Sequence, residues 1–190
     1  MNKRHISLLA AVALGLAGCA DQSTKSADPV ETYESAAANP FITTNYKAAD
    51  ALIAQLGRSL SPSQPLIVAT VVDINNLDKS SALGRTVSEH VSAQFTRKGY
   101  SLVELKLRNS VYMKRTQGEL MLSREIKDVA QSYNAQAVIV GTYSESSNLV
   151  FINLKVVRPD DNVILAVQDY VLPLDKTVRS LLASRWGTSQ

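Results

Sequence analysis

The most distinctive chemistry in this chain belongs to the sulfur of Cys19, the one cysteine among 190 residues. It closes the run Leu16-Ala17-Gly18-Cys19, in which small residues lead into the thiol. That run resembles a lipobox, where the sulfur takes a thioether-linked diacylglycerol, the chain is cut in front of it, and the new amino terminus is acylated. Lys3, Arg4 and His5 form a basic start. Ile6 to Leu16 then supply an apolar stretch of signal-peptide length, too short for the about 20 residues that cross a bilayer. Residues 1–18 are therefore expected to be a lipoprotein signal peptide. The other reading is an ordinary secretory signal cut near Ala17 or Ala20, which leaves a free thiol. An acylated Cys19 makes membrane lipid a partner. Each buried methylene adds about 0.8 kcal/mol and two chains already anchor stably, so three hold the protein on a membrane. Ala20, not Asp, follows the cysteine, and Asp21 comes one place later. By the enteric sorting rule this favours the outer membrane; the domain is expected on its periplasmic face, with exposure on the cell surface as the alternative.

The remaining residues offer little for catalysis. Once residues 1–18 leave, His90 is the only histidine, so any hydrolytic triad must use it. Ser88 and Ser92 flank it, but neighbours two apart on a helix do not face each other. Nothing resembles a nucleophile elbow or its glycines. A surface or interface role suits His90 better than a catalytic one. Metal binding lacks soft ligands, and Asp160-Asp161 fits a solvated turn. Gly84-Arg85 opens a helix and could receive an anion there, although a tight turn with an exposed charge explains the same residues. Lys114-Arg115 and Arg97-Lys98 are short solvated pairs. The expectation is a non-enzymatic protein with no cofactor, no metal and no small-molecule substrate. The formal charge of +3 shrinks too: losing Lys3 and Arg4 takes 20 basic residues to 18 against 17 acidic ones. No basic footprint for nucleic acid remains.

These residues must be positioned by a domain without disulfides. Residues 19–40, the lipidated cysteine and a flexible tether, hold too few apolar groups to offset the entropy of ordering. A chain of that length reaches roughly 25 Å. Residues 41–190 read as a single α/β (α+β) domain, long enough to bury about 70% of its unfolded surface. Thr43 or Thr44 is expected to cap a helix carrying Ala49, Leu52, Ile53, Leu56 and Leu60. Leu66 to Val72 reads as one strand covered on both faces. A helix over 82–98 presents Leu83, Val87, Val91 and Phe95, stopped by Gly99. Tyr100 to Leu107 alternates as a strand, and 109–122 carries no single pattern beyond a short strand near Val111 to Met113. Ser123 caps a third helix using Ile126, Val129, Ala130 and Tyr133. A strand over 135–143, interrupted by Gly141, precedes a hairpin of 149–157 and 163–172 around Pro159-Asp160-Asp161-Asn162. A final helix runs from Asp175 to about Ser184. The order α-β-α-β-α-β-β-β-α predicts a mixed sheet of about four to five strands with three to four packed helices.

Four segments in this order resemble the FlgO family of flagellar outer-membrane lipoproteins of polarly flagellated Gram-negative bacteria. They are Ser81-Ala82-Leu83-Gly84-Arg85, Arg97-Lys98-Gly99-Tyr100, Gly118-Glu119-Leu120-Met121-Leu122-Ser123-Arg124 and Val140-Gly141-Thr142-Tyr143, and the likeness spans about Tyr46 to Leu174. Each segment also has a structural explanation at a cap, turn or close approach. The resemblance implies a protein at the base of the flagellum, where rod and hook cross the outer membrane, supporting outer rings and motility. Its partners would be flagellar outer-ring or other envelope proteins, including further copies of itself. The hairpin is the expected contact surface, its outward face mixing Asn153, Lys155, Gln168 and Asp169 with aromatics. An alternative is an outer-membrane lipoprotein that crosses the periplasm to activate a peptidoglycan synthase, although such activators have longer tethers.

Overall fold

A computed structural model describes residues 32, 34, 38–77, 79–103, 113–116, 119–122 and 124–183, with side chains at 113–116, 119–122 and 124–125 left aside. Cys19, the expected signal and tether, Ser123 and Gly118 lie outside the described residues.

Helix α1 spans Pro40–Leu56. Its cap is Asn39, whose carboxamide oxygen accepts from the Phe41 N–H at 2.8 Å, not Thr43 or Thr44. Pro40 follows at the first helical position, where a missing N–H costs nothing. Gly57, at φ +50°, ends the helix, so Leu60 packs from the loop beyond it. Helix α2 spans Ala82–Arg97, capped by Ser81, which accepts from the Gly84 N–H. Its far end is a Schellman turn. Gly99 at φ +89° donates to Thr96, Tyr100 donates to Phe95, and the rings of Phe95 and Tyr100 pack 5.5 Å apart.

The Leu66–Val72 run is not one strand. It divides into β1 (Leu66–Val68) and β2 (Val72–Asp73), both parallel to the same neighbour. The interruption has a tertiary cause: Ser88 of α2 accepts the Val71 N–H at 2.9 Å, taking a group that would otherwise join the ladder. Gly84 makes this approach feasible, since a Cβ there would sit 2.0 Å from the Val71 carbonyl oxygen. Strand β3 is described over Leu102–Val103, the rest of the predicted 100–107 strand lying outside the described residues. Residues 113–122, read as largely patternless, hold the antiparallel pair β4 (Met113–Thr116) and β5 (Glu119–Leu122). Helix α3 spans Arg124–Ser132 and buries Ile126 and Ala130, whereas Tyr133 is 50% exposed.

Strands β6 (Ala137–Glu145), β7 (Leu149–Val157) and β8 (Ile164–Pro173) form an antiparallel meander, and α4 (Lys176–Ala183) closes the fold with Asp175 as its cap. Gly141 pairs in register with Leu154 and needs no bulge. Its role is close approach, because a Cβ there would meet Leu154 at 2.7 Å and the Asn153 carbonyl at 2.9 Å. The main sheet has six strands in the order β3-β1-β6-β7-β8, with β2 also on β6. It is parallel on one side of β6 and antiparallel on the other.

Two apolar clusters flank this sheet. The larger one joins α1, α2 and α4 to the inner face through Leu52, Leu56, Leu83, Val87, Phe95, Ile139, Ile152, Leu154, Leu172 and Val178. The smaller packs α3 on the outer face of the parallel side through Ile126, Ala130, Ile67, Val138 and Val140. The chain is thus a single α+β domain with a mixed sheet; among the described residues, helices cover both faces of its parallel half and one face of its antiparallel half.

Candidate interaction surface

Because side chains alternate along a strand, the register decides what each face shows. Asn153 pairs with Asp169, Lys155 with Val167 and Phe151 with Val171. These six residues therefore share the outer face of the β7–β8 hairpin. Gln168 does not join them, since it pairs with Leu154 in a row of opposite parity. Its carboxamide donates instead to the Asp169 carbonyl at 2.8 Å, along the strand edge. The expected aromatic content reduces to Phe151, because Tyr170 lies in the Ile152 row and packs against the inner cluster.

The face is apolar with a polar centre. Phe151, Ile164, Val167 and Val171 are each 41–51% exposed, and with Ile74, Val163 and Tyr133 they are the exposed large apolar groups of the described residues. Sequence reading passed over these four, although the alternation of Phe151, Val167 and Val171 with Asn153, Lys155 and Asp169 is the period-2 signal that marks one face; Ile164 falls out of that period because the register shifts at Val156/Val157. A groove of about 420 Å³ runs beside them, bordered by Ile74, Thr142, Phe151, Asn153, Asp169 and Val171. Asn153 donates to one Asp169 carboxylate oxygen at 2.7 Å. Neither Asp169 nor Lys155 has an ion-pair partner among the described residues. Among the described residues, the face thus carries one unmatched anion and one unmatched cation.

The edge of the sheet is managed differently. β8 is an edge strand, yet Gln55 of α1 reaches its backbone with both amide atoms, donating to the Val167 carbonyl at 2.8 Å and accepting its N–H at 3.1 Å. Two residues on, the Gln168 side chain takes the Asp169 carbonyl, which points the same way. A neighbouring strand finds these ladder groups already used.

The other candidate groups are built into the fold. His90 is half-buried between the rings of Phe41 and Tyr46, and its Nδ1 accepts from the Asn45 carboxamide at 3.0 Å. Burial, and to a lesser extent the Arg97 charge, lowers its pKa. Asn45, fully buried, also accepts from the Tyr170 hydroxyl at 2.7 Å. Burial raises the Tyr170 pKa, keeping that phenol a donor. Among the described residues, the Ser88 hydroxyl bonds to backbone groups of Ala69, Val71 and Gly84, and that of Ser92 to the Ser88 carbonyl, so neither serine addresses His90. Arg97 lies 4.6 Å over the Tyr46 ring and Lys98 pairs with Asp50 at 3.3 Å. The Gln94 hydrogen bond, with help from Lys98, lowers the Asp50 pKa. The Gly84 N–H is spent on Ser81. No group of three or more His, Cys, Asp or Glu side chains is arranged for a metal among the described residues.

This geometry, a sheet with an open face behind a capped edge, lies within a segment that a known family model matches. Residues 46–177 match the model described as "FlgO protein", more than two thirds of the chain. The chain belongs to the FlgO family. No curated protein matches it. Among solved structures, the LpoB C-terminal domain from Escherichia coli is similar at 12% identity and TM-score 0.51, covering 70% of this chain and 98% of that one. The corresponding domain from Salmonella enterica is similar at 13% identity and TM-score 0.47, covering 66% and 94%. At such identity the first likeness shows a shared fold.

Proposed function

We propose that this chain is a lipid-anchored, non-enzymatic protein of the outer membrane that works at the flagellar base and supports outer-ring assembly and motility. The observation that carries the reading is membership of the FlgO family over residues 46–177. The run Leu16-Ala17-Gly18-Cys19 ahead of it supports the lipid anchor. The outer face of β7–β8, centred on Asn153, Lys155 and Asp169, is the surface offered to a flagellar or other envelope protein.

Energetics favour tethered contacts. Covering the exposed parts of Phe151, Ile164, Val167 and Val171 contributes about 1 kcal/mol each, about 4 kcal/mol together. Association costs at least that much in lost translation and rotation, about 4–15 kcal/mol. Free copies would therefore meet weakly. Copies held on one leaflet at high local concentration have paid most of that cost already.

The test is swimming speed in a strain lacking the gene, complemented with the wild type or with Cys19→Ser. Motility restored by the wild type and not by Cys19→Ser supports an anchored flagellar component. Normal swimming in the deletion strain overturns it and turns attention to cell-wall synthesis.

A further inference from the structure

The open β7–β8 face carries a charge pattern that is complementary to itself. Lys155 and Asp169 sit diagonally across the hairpin, one on each strand, offset by one cross-strand row. Both lack a counter-charge among the described residues, and apolar Phe151, Val167 and Val171 surround them. A partner fitting this face needs an anion opposite Lys155, a cation opposite Asp169 and apolar groups around both. A second copy of the same face supplies all three.

We propose that two copies of this chain pair face to face through their β7–β8 outer faces, with Lys155 of each copy set against Asp169 of the other. This rests on the reading above in one respect, that lipidation holds the copies on a common membrane. The arrangement can be worked out from the register. Two identical faces can meet only about a two-fold axis lying in the plane between them. For Lys155 and Asp169 to exchange places, that axis must bisect their diagonal. Strands lie about 4.8 Å apart and two residues rise about 6.7 Å, so the axis runs obliquely across the hairpin. The two hairpins then cross steeply, nearer the orthogonal (about 90°) than the aligned (about 30°) class of sheet packing. Asn153 and Val167, the other diagonal, fall beside the axis and meet their own counterparts. The edge of β8 fits this mode, because Gln55 occupies the Val167 ladder groups from the helix side and leaves the face clear.

The test uses the full chain in its own membrane. Val167→Cys places a thiol beside the axis, where it meets its counterpart. Lys47→Cys, exposed on α1 away from the face, is the control. The unsubstituted chain reports any cross-link through Cys19. The expected result is a reductant-sensitive dimer with Val167→Cys alone. Adding Lys155→Glu or Asp169→Lys to that variant gives each face like charges and cuts the dimer about tenfold. Co-expressing the two charge-reversed chains under different tags restores a mixed dimer, because each then supplies what the other lacks. That rescue also excludes misfolding as the cause of the loss. No dimer above the Lys47→Cys level, a dimer indifferent to both reversals, or an adduct with a different protein would overturn the pairing. The outcome is separable from the flagellar reading. A lost dimer with swimming still dependent on the chain refutes self-pairing alone, and a retained dimer with normal swimming refutes the flagellar role alone.

Discussion

Replacing Asn45 with alanine should damage the fold more than any other single polar change on the inner side of the sheet. Asn45 is fully buried and ties three elements together, accepting from Tyr170 of β8 and donating to His90 of α2 while standing on α1. Asn45→Ala leaves the Tyr170 hydroxyl and the His90 Nδ1 without partners. Each buried orphan costs about 1–3 kcal/mol, with half-buried His90 at the low end. The space vacated by the carboxamide adds about 1 kcal/mol. The expected loss is about 3–5 kcal/mol. At about 3 °C per kcal/mol for a domain of this size, thermal unfolding should fall by about 10–15 °C. Tyr170→Phe strands only the Asn45 carbonyl and should cost about 1–2 kcal/mol. The two changes must not add, because in the Asn45→Ala background the Tyr170 hydroxyl has already lost its acceptor. Urea denaturation of the four proteins in this cycle should give a coupling of about 1 kcal/mol. Additive losses, or an Asn45→Ala loss below about 1 kcal/mol, would refute the network.

Four further outcomes follow from particular residues. The lowered pKa of His90 means that the folded state disfavours its charged form. Its contribution is complete above the unfolded value near 6.5 and is lost as pH falls through the lower folded value. Urea midpoints should therefore drop between pH 7 and 5, and less steeply in His90→Gln. Gly84→Ala forces a Cβ to within 2.0 Å of the Val71 carbonyl and should cost upwards of about 3 kcal/mol. Gly99→Ala has room around it and strains only a φ of +89°, so a loss of about 1–2 kcal/mol by thermal unfolding is expected. Gln55→Ala uncovers the Val167 backbone on β8. Stability should change by less than about 1 kcal/mol while aggregation on storage rises, as light scattering would show.

How much of this was legible beforehand depended on how local the cause was. Gly99 and the Pro159–Asn162 turn act through neighbouring backbone, and reading them placed the end of α2 and the β7–β8 hairpin to within one residue. The division of Leu66–Val72 depends on Ser88, which lies 17 residues from Val71 and arrives only with α2. Nothing in the apolar run announces it. The start of α1 was legible in Asn39-Pro40, but the capping preference of Thr43 and Thr44, about one turn further on, drew the boundary inward. For the surface, period 2 already excludes adjacent Gln168 and Asp169 from one face, and only the register says that Asp169 is the one facing out. That the face is open follows from where α3 stops, over Ile67, Val138 and Val140, which no local pattern encodes.

The most direct test of the central claim is where the chain goes in living cells. A fluorescent fusion at the C-terminus should gather at the flagellar base in a strain lacking the native gene, with swimming restored. The same fusion carrying Cys19→Ser should spread through the periplasm and fail to restore swimming. A wild-type fusion distributed evenly around the envelope, or a Cys19→Ser fusion that still gathers at the flagellar base, would contradict the account.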